Sequence, residues 1–240
     1  MKKSRPFRFK QFDIYHDECA MKVGTDGVLV GAWADVNAAK TVLDIGTGSG
    51  LIAIMAAQKN QSAHITGIDI DEAAYQQALK NVQLSPWSER ISIQKIAIQN
   101  FAHLSSKYSF DSIISNPPYF NNGTKSTIQK RQIARHTQDL SYEALLQSVD
   151  VLLNKEGVFS VILPYKEGLF FQKTASQYNL QLSHVVEVRS KKNKPIERLL
   201  MAFKKKPSIL KRDQLIIQFE ERNNWTPEYV ALTKEFYFKM

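Results

Sequence analysis

The stretch TVLDIGTGSGLIAIMAAQKN, residues 41–60, decides the fold. TVLDIG (41–46) is a short apolar run closed by glycine, and LIAIMAAQKN after the glycines has helical length and apolar content, so the segment reads as strand, tight turn, helix. The alternation continues downstream. HITGID (64–69) reads as a second strand, followed by a helix through DEAAYQQALKNVQL with Asp71 as its cap and Ala74, Ala78, Leu79 and Val82 on one side. ISIQKI (91–96), FDSIIS (110–115) and GVFSVILP (157–164) are three further strands. YEALLQSVDVLLN carries Leu145, Val149, Leu152 and Leu153 at helical spacing, and KEGLFFQKTASQY gives another helix. LSHVVEVRS and IERLLMAFKKK look like a closing antiparallel pair. Strands alternating with helices predict an α/β chain with a mostly parallel sheet and helices on both faces.

Outside this cycle, residues 1–36 read as a basic and aromatic extension. FRFKQFDIY alternates like a strand, and VGTDGVLVGAWA begins a helix expected to cover the sheet edge. The C-terminal segment holds one expected strand, LIIQFE (215–220), and a short aromatic helix. Residues 1–240 are expected to form a single domain.

The bulk composition excludes several classes. No uninterrupted apolar run approaches the roughly 18 residues of a membrane-spanning helix, so no membrane role is expected. The basic opening MKKSRPFRFK is followed by polar and charged residues where a signal peptide needs an apolar core, which predicts a cytoplasmic protein. A single cysteine, Cys19, and five scattered histidines give no metal-ligand spacing, and metal chemistry is not expected. A net charge of +9 favours polyanionic partners, and its positives are clustered. They gather near the N-terminus, between Lys125 and Arg135, between Arg189 and Lys194, and at Lys204 to Lys206.

In an open parallel sheet, ligands bind at the carboxyl ends of the strands near the topological switch, which directs attention to the turn Asp44-Ile45-Gly46-Thr47-Gly48-Ser49-Gly50. Its glycines permit close backbone approach and lead into a helix start, which suits either a dinucleotide or S-adenosyl-L-methionine. Two details separate these ligands. Leu51 stands where the nicotinamide fingerprint needs glycine, and Asp44 would set a carboxylate near a pyrophosphate. A ligand carrying an ammonium and a sulfonium favours that carboxylate. Asp69 closes the second strand roughly twenty residues beyond the turn, where an acid accepts hydrogen bonds from ribose hydroxyls.

The fourth strand ends in Asn116-Pro117-Pro118-Tyr119. An exocyclic amine on a purine is a poor nucleophile because its lone pair is delocalised into the ring. Two acceptors aligned with its N–H bonds, the Asn116 side-chain oxygen and the Pro117 carbonyl, would favour a tetrahedral nitrogen with its lone pair facing a methyl donor. Tyr119 offers an aromatic face for stacking, worth roughly 1–3 kcal/mol per base, and Phe120 extends it. A base inside a duplex cannot reach such a pocket, so the target is flipped or lies in a loop. Lys130, Arg131 and Arg135 follow the motif and are expected to contact phosphates of the substrate. The motif by itself admits an adenine amine or a glutamine amide.

Together, KQFDIYHDECAMKVGTDGVLVGAWA, LDIGTGSGLIAIMAAQ, SNPPYF, ARHT and YVALTKEFYFKM resemble, over nearly the whole chain, the tRNA1(Val) adenine N6-methyltransferases. These belong to the class I S-adenosylmethionine-dependent methyltransferases with an NPPY motif and act on the adenine 3′ of the anticodon. The resemblance implies a Rossmann-like seven-stranded, mostly parallel sheet with an antiparallel last strand, and a tRNA substrate. It assigns Asp44, Gly46, Gly48, Gly50 and Asp69 to the cofactor and Asn116 to the amine, and it matches Thr25 and Asp26 to a wall on the cofactor side. One departure stands out: relatives often carry an acid after the third strand that binds the cofactor adenine, where this chain has Ala97, Ile98 and Gln99, and Ile98 packing is the expected substitute. A protein glutamine N5-methyltransferase acting on a release factor and an rRNA guanine N2-methyltransferase are the neighbouring readings. The former group carries a helical substrate domain of many tens of residues where this chain has only its short basic extension.

Overall fold

A computed structural model describes residues 5–17, 22–118 and 141–238. Tyr119, Phe120, Lys130, Arg131 and Arg135 lie outside the described residues.

Among the described residues, one sheet of eight strands dominates. In chain order its strands are β3 (Thr41–Ile45), β4 (His64–Asp69), β5 (Ile91–Lys95), β6 (Phe110–Ser115), β7 (Leu153–Pro164), β8 (Gln181–Arg189), β9 (Arg198–Lys204) and β10 (Lys211–Ile216). Their spatial order is β10-β8-β9-β7-β6-β3-β4-β5. From β5 to β7 every pairing is parallel; β9 inserts antiparallel between β7 and β8, and β10 runs parallel to β8. A two-stranded hairpin, β1 (Phe7–Arg8) with β2 (Asp13–Ile14), precedes the sheet.

The helices are α1 (Thr25–Trp33), α2 (Leu51–Lys59), α3 (Glu72–Leu84), α4 (Ile98–Leu104), α5 (Tyr142–Leu152), α6 (Tyr165–Ala175) and α7 (Pro227–Thr233). They cover both faces. One core joins α1, α2, α3, α7 and the hairpin to the sheet through Val28, Ile54, Val82, Tyr229 and Phe9; the other joins α4, α5 and α6 through Phe101, Leu145 and Phe171. Neighbouring strand residues divide between the two, Val42 and Ile114 to the first and Leu43 and Ile113 to the second, as the period-2 pleat requires. Fully burying each such side chain contributes about 1.5–3 kcal/mol.

Three expectations are corrected. The sheet has eight strands where seven were expected: the seventh in chain order, β9, is antiparallel as expected, and β10 is an additional edge strand outside β8. β10 spans Lys211–Ile216, earlier than the apolar run at 215–220. An edge strand is held by backbone pairing on one side and tolerates charged side chains, so apolarity is a poor guide to its limits. Finally, α1 packs on α2 and over β6 and β7 in the middle of the sheet, away from either edge. Gly31 permits that approach: a Cβ there would stand 2.8 Å from Met55 Sδ.

Candidate active site

Asp44, Asp69 and Asn116 come from three adjacent strands, β3, β4 and β6, at their carboxyl ends. Strand alternation puts all three on the face covered by α1 and α2: Asp44 shares parity with Val42, Asp69 with Ile65, and Asn116 with Ile114, and those residues belong to that core. The sheet thereby gathers side chains that lie far apart in the chain.

The glycine turn is fixed from below. The N–H groups of Gly46 and Thr47 both donate to Ile68 O at 2.9 Å, and Gly50 N–H donates to Thr47 O at 2.8 Å. Gly46, Gly48 and Gly50 have φ of 70°, 57° and 81°, a region costly for residues with a Cβ. A Cβ at Gly46 would meet nothing within 4 Å, so the backbone there faces open space that a ligand can approach.

Asp44 lies beneath this turn, fully buried. Its Oδ2 accepts from Thr47 Oγ1 at 2.6 Å and from Ala53 N–H at 3.1 Å, at the start of α2. Its Oδ1 is buried without a partner. Burial pushes the carboxyl up to about 7, against the lowering pull of the Thr47 and Ala53 hydrogen bonds and with a smaller raising contribution from the Asp69 charge. An acid held this way is short of one positive neighbour, and an ammonium at the turn would supply it. Asp69 accepts Gly48 N–H at 2.9 Å on Oδ2 and Asp71 N–H at 3.0 Å on Oδ1, so it shapes the turn itself. A carboxylate accepts up to about four hydrogen bonds, which keeps this work compatible with a ribose contact. Asp71 caps α3 as expected, accepting Ala74 N–H at 2.9 Å.

At the end of β6, Asn116 is half-buried and its Oδ1 is buried without a hydrogen-bond partner; Pro117 beside it is buried. α1 forms the adjoining wall, because a Cβ on Gly27 would lie 3.9 Å from Asn116 Nδ2. Orphaned buried acceptors cost free energy in the protein alone, and both this one and Asp44 Oδ1 call for a donor from a ligand. The residues present fit S-adenosylmethionine: an open glycine cradle, an unsatisfied acid beneath it and a second acid at the ribose position.

The other expected positions lie on α1 and at the start of α4. Thr25 is exposed at the start of α1. Asp26 pairs with the Arg198 guanidinium of β9, and burial raises its carboxyl despite that neighbour. Ile98 is only 4% exposed, within the core that includes Leu43, Ile45 and Phe101, whereas Ile70, directly after Asp69, is 43% exposed. Several contributors carry no signal in a linear reading. Asn81 of α3 is fully buried and donates to both Ser49 O (2.7 Å) and Tyr15 O (2.8 Å), tying the turn to the N-terminal segment. A Cβ on Gly67 would lie 2.9 Å from Thr47 Oγ1, so that glycine makes room for the hydroxyl that serves Asp44. Thr47 was legible in principle, as a hydroxyl three residues beyond a buried acid. Among the described residues no group of three His, Cys, Asp or Glu could hold a metal ion, and no helix is long and apolar enough to cross a membrane.

Comparison with known proteins agrees with this geometry. Residues 24–161 match the methyltransferase small domain family. A solved structure described as a predicted O-methyltransferase from Agrobacterium tumefaciens superposes with a TM-score of 0.69 at 17% identity, covering 88% of this chain and 96% of the other, a likeness of fold. Fold and site together define a Rossmann-like methyltransferase. A tRNA1(Val) (adenine(37)-N6)-methyltransferase from Phocaeicola vulgatus is 48% identical over 234 residues, with 98% of both chains covered. One of the same name from Mannheimia succiniciproducens is 44% identical, covering 98% of this chain and 95% of the other. The chain belongs to the tRNA1(Val) (adenine(37)-N6)-methyltransferase family.

Proposed function

We propose that this protein methylates N6 of adenine 37 in tRNA1(Val), using S-adenosyl-L-methionine, and that it does so in the cytoplasm as a single domain with residues 1–36 as an N-terminal extension. The observation that carries the reading is the unpartnered, buried Asn116 Oδ1 beside the glycine turn, in a chain nearly half identical to proteins of that activity.

Asp44, Gly46, Gly48, Gly50 and Asp69 would hold the cofactor, with Ile70 offering apolar surface to its adenine and Ile98 lying behind. Thr25 and Asp26 belong to the α1 wall. When bound, S-adenosylmethionine supplies an electrophilic methyl group on a positively charged sulfur. Asn116 Oδ1 accepts one N–H of the target amine and the Pro117 carbonyl accepts the other, which draws the nitrogen lone pair out of conjugation with the ring. Proline's fixed φ keeps that carbonyl aimed. Tyr119 and Phe120 are assigned to stacking on the base, and Lys130, Arg131 and Arg135 to backbone phosphates. No general base of shifted pKa is needed, because the amine loses its proton readily only after methylation. Positioning supplies most of the rate.

The test offers labelled S-adenosylmethionine and the protein in parallel to total tRNA lacking the modification, followed by nucleoside analysis, and to an unmodified release factor, followed by amino-acid analysis. Labelled N6-methyladenosine at position 37 is expected. Label in a release-factor glutamine or in guanine N2 would overturn the reading.

A further inference from the structure

The chain carries two compact basic clusters near its C-terminal end, and the fold sends them to opposite edges of the sheet. β9 runs antiparallel to both β7 and β8. Its start, Arg198, therefore lies at the carboxyl edge with Asn116, and its end, Lys204, lies at the amino edge. The turn joining β8 to β9, with Arg189, Lys191, Lys192 and Lys194, shares the edge of the amine pocket; Lys204, Lys205 and Lys206 do not.

The pairing of the two clusters differs as well. Lys205 bonds Asp150 and lies over the Tyr108 ring, and Lys206 pairs with Glu156. On the turn, Lys191 donates to Glu220 O and lies 3.8 Å from the Glu220 carboxylate, and Lys192 borders a cavity of about 480 Å³ that Glu220 and Glu221 also line. Lys192 and Lys194 are exposed, and neither forms an ion pair among the described residues.

The turn is held in place rather than hanging in solvent. Arg189 Nη1 donates to Lys194 O at 2.8 Å, Lys194 N–H to Lys191 O at 3.0 Å, and Glu197 N–H to Val188 O at 2.9 Å. Tyr165 N–H donates to Glu197 O at 3.0 Å, which docks the start of α6, with exposed Lys166, against the turn. At the strand spacing of about 4.8 Å, β9 stands two strands or roughly 10 Å from β6, and β8 roughly 14 Å. That separation is short enough for nucleotides flanking a base held at Asn116.

We propose that the β8–β9 turn, through Lys192 and Lys194, receives the sugar-phosphate backbone of the RNA whose base enters the Asn116 pocket, and that the 204–206 cluster takes no part. The proposal rests on the tRNA reading above. Two fixed lysines contribute electrostatic affinity without base specificity, and each phosphate they neutralise steepens the salt dependence of binding.

The test compares wild type, K192Q/K194Q and the amino-edge control K204Q/K206Q for binding of unmodified tRNA across a salt series, with S-adenosylmethionine binding measured by calorimetry as a check of folding. K192Q/K194Q should lower the slope of log affinity against log salt by about 1.4–1.8, so that the wild-type advantage shrinks about ten-fold between roughly 50 and 200 mM salt. Cofactor binding and turnover at saturating tRNA should stay near wild type, and the control should match wild type throughout. A K192Q/K194Q slope equal to wild type, or an equal loss in the control, overturns the proposal while leaving the function reading intact. A wild-type chain that binds no tRNA overturns both.

Discussion

Gly27 of α1 and Asn116 at the end of β6 face each other so closely that a Cβ on the glycine would lie 3.9 Å from Asn116 Nδ2 and 3.3 Å from Leu51 Cδ2. The N-terminal helix thus forms the wall beside the Asn116 side chain. Gly27→Ala should be nearly neutral in stability, since alanine's gain in helix propensity, up to about 1 kcal/mol, offsets the tight contact with a flexible leucine. Gly27→Val adds branched bulk at this wall and should lower turnover about ten-fold or more while costing roughly 1–3 kcal/mol. Thermal unfolding with steady-state kinetics checks both, and a Val variant of undiminished turnover would remove α1 from the pocket.

Asn116→Ala should leave S-adenosylmethionine affinity within about two-fold by calorimetry and reduce single-turnover methyl transfer by about 10²–10³, the cost of losing one preorganised acceptor. Retained turnover would refute the two-acceptor arrangement.

Asp44 gives a pH prediction of definite sign. Its folded carboxyl titrates near 7, above the ordinary value of 3.8, so the fold prefers the protonated acid. Its contribution to stability is fully present below about pH 4 and is lost as pH rises through about 7. Asn at this position keeps an acceptor for Thr47 and Ala53 and carries no charge. Asp44→Asn should therefore raise the ligand-free melting temperature at pH 8 by roughly 3–6 °C, equivalent to about 1–2 kcal/mol, by less at pH 5–6, and leave it little changed near pH 4. The same change should weaken S-adenosylmethionine binding at pH 8 by about 10–100-fold. A variant that binds the cofactor normally would show that Asp44 does not receive its charge.

Arg198 of β9 pairs with Asp26 of α1 and, at 2.8 Å, with Glu197. Arg198→Met leaves two carboxylates facing each other without a cation and should cost about 1–3 kcal/mol. A double-mutant cycle with Asp26→Asn should give a coupling of at least about 0.5 kcal/mol. Additive losses would mean that the pair does not clamp α1.

Much of this architecture was legible in the chain itself. The β3 turn, the strand–helix alternation, the Asp71 cap and the NPP sequence after β6 follow from local chemistry: glycine where φ is positive, an acid at a helix start, apolar runs bounded by breakers. The sequence by itself also determined that Asp44, Asp69 and Asn116 stand at the ends of strands, where an α/β sheet presents its ligands. Tertiary structure alone decided the rest. That α1 crosses β6 and β7 and meets Asn116, that Asp26 is engaged by Arg198, that Asn81 braces Ser49, and that one basic cluster shares the sheet edge of Asn116 while another lies opposite are consequences of strand order and direction. Those depend on pairings between residues far apart in the chain, and no local periodicity encodes them.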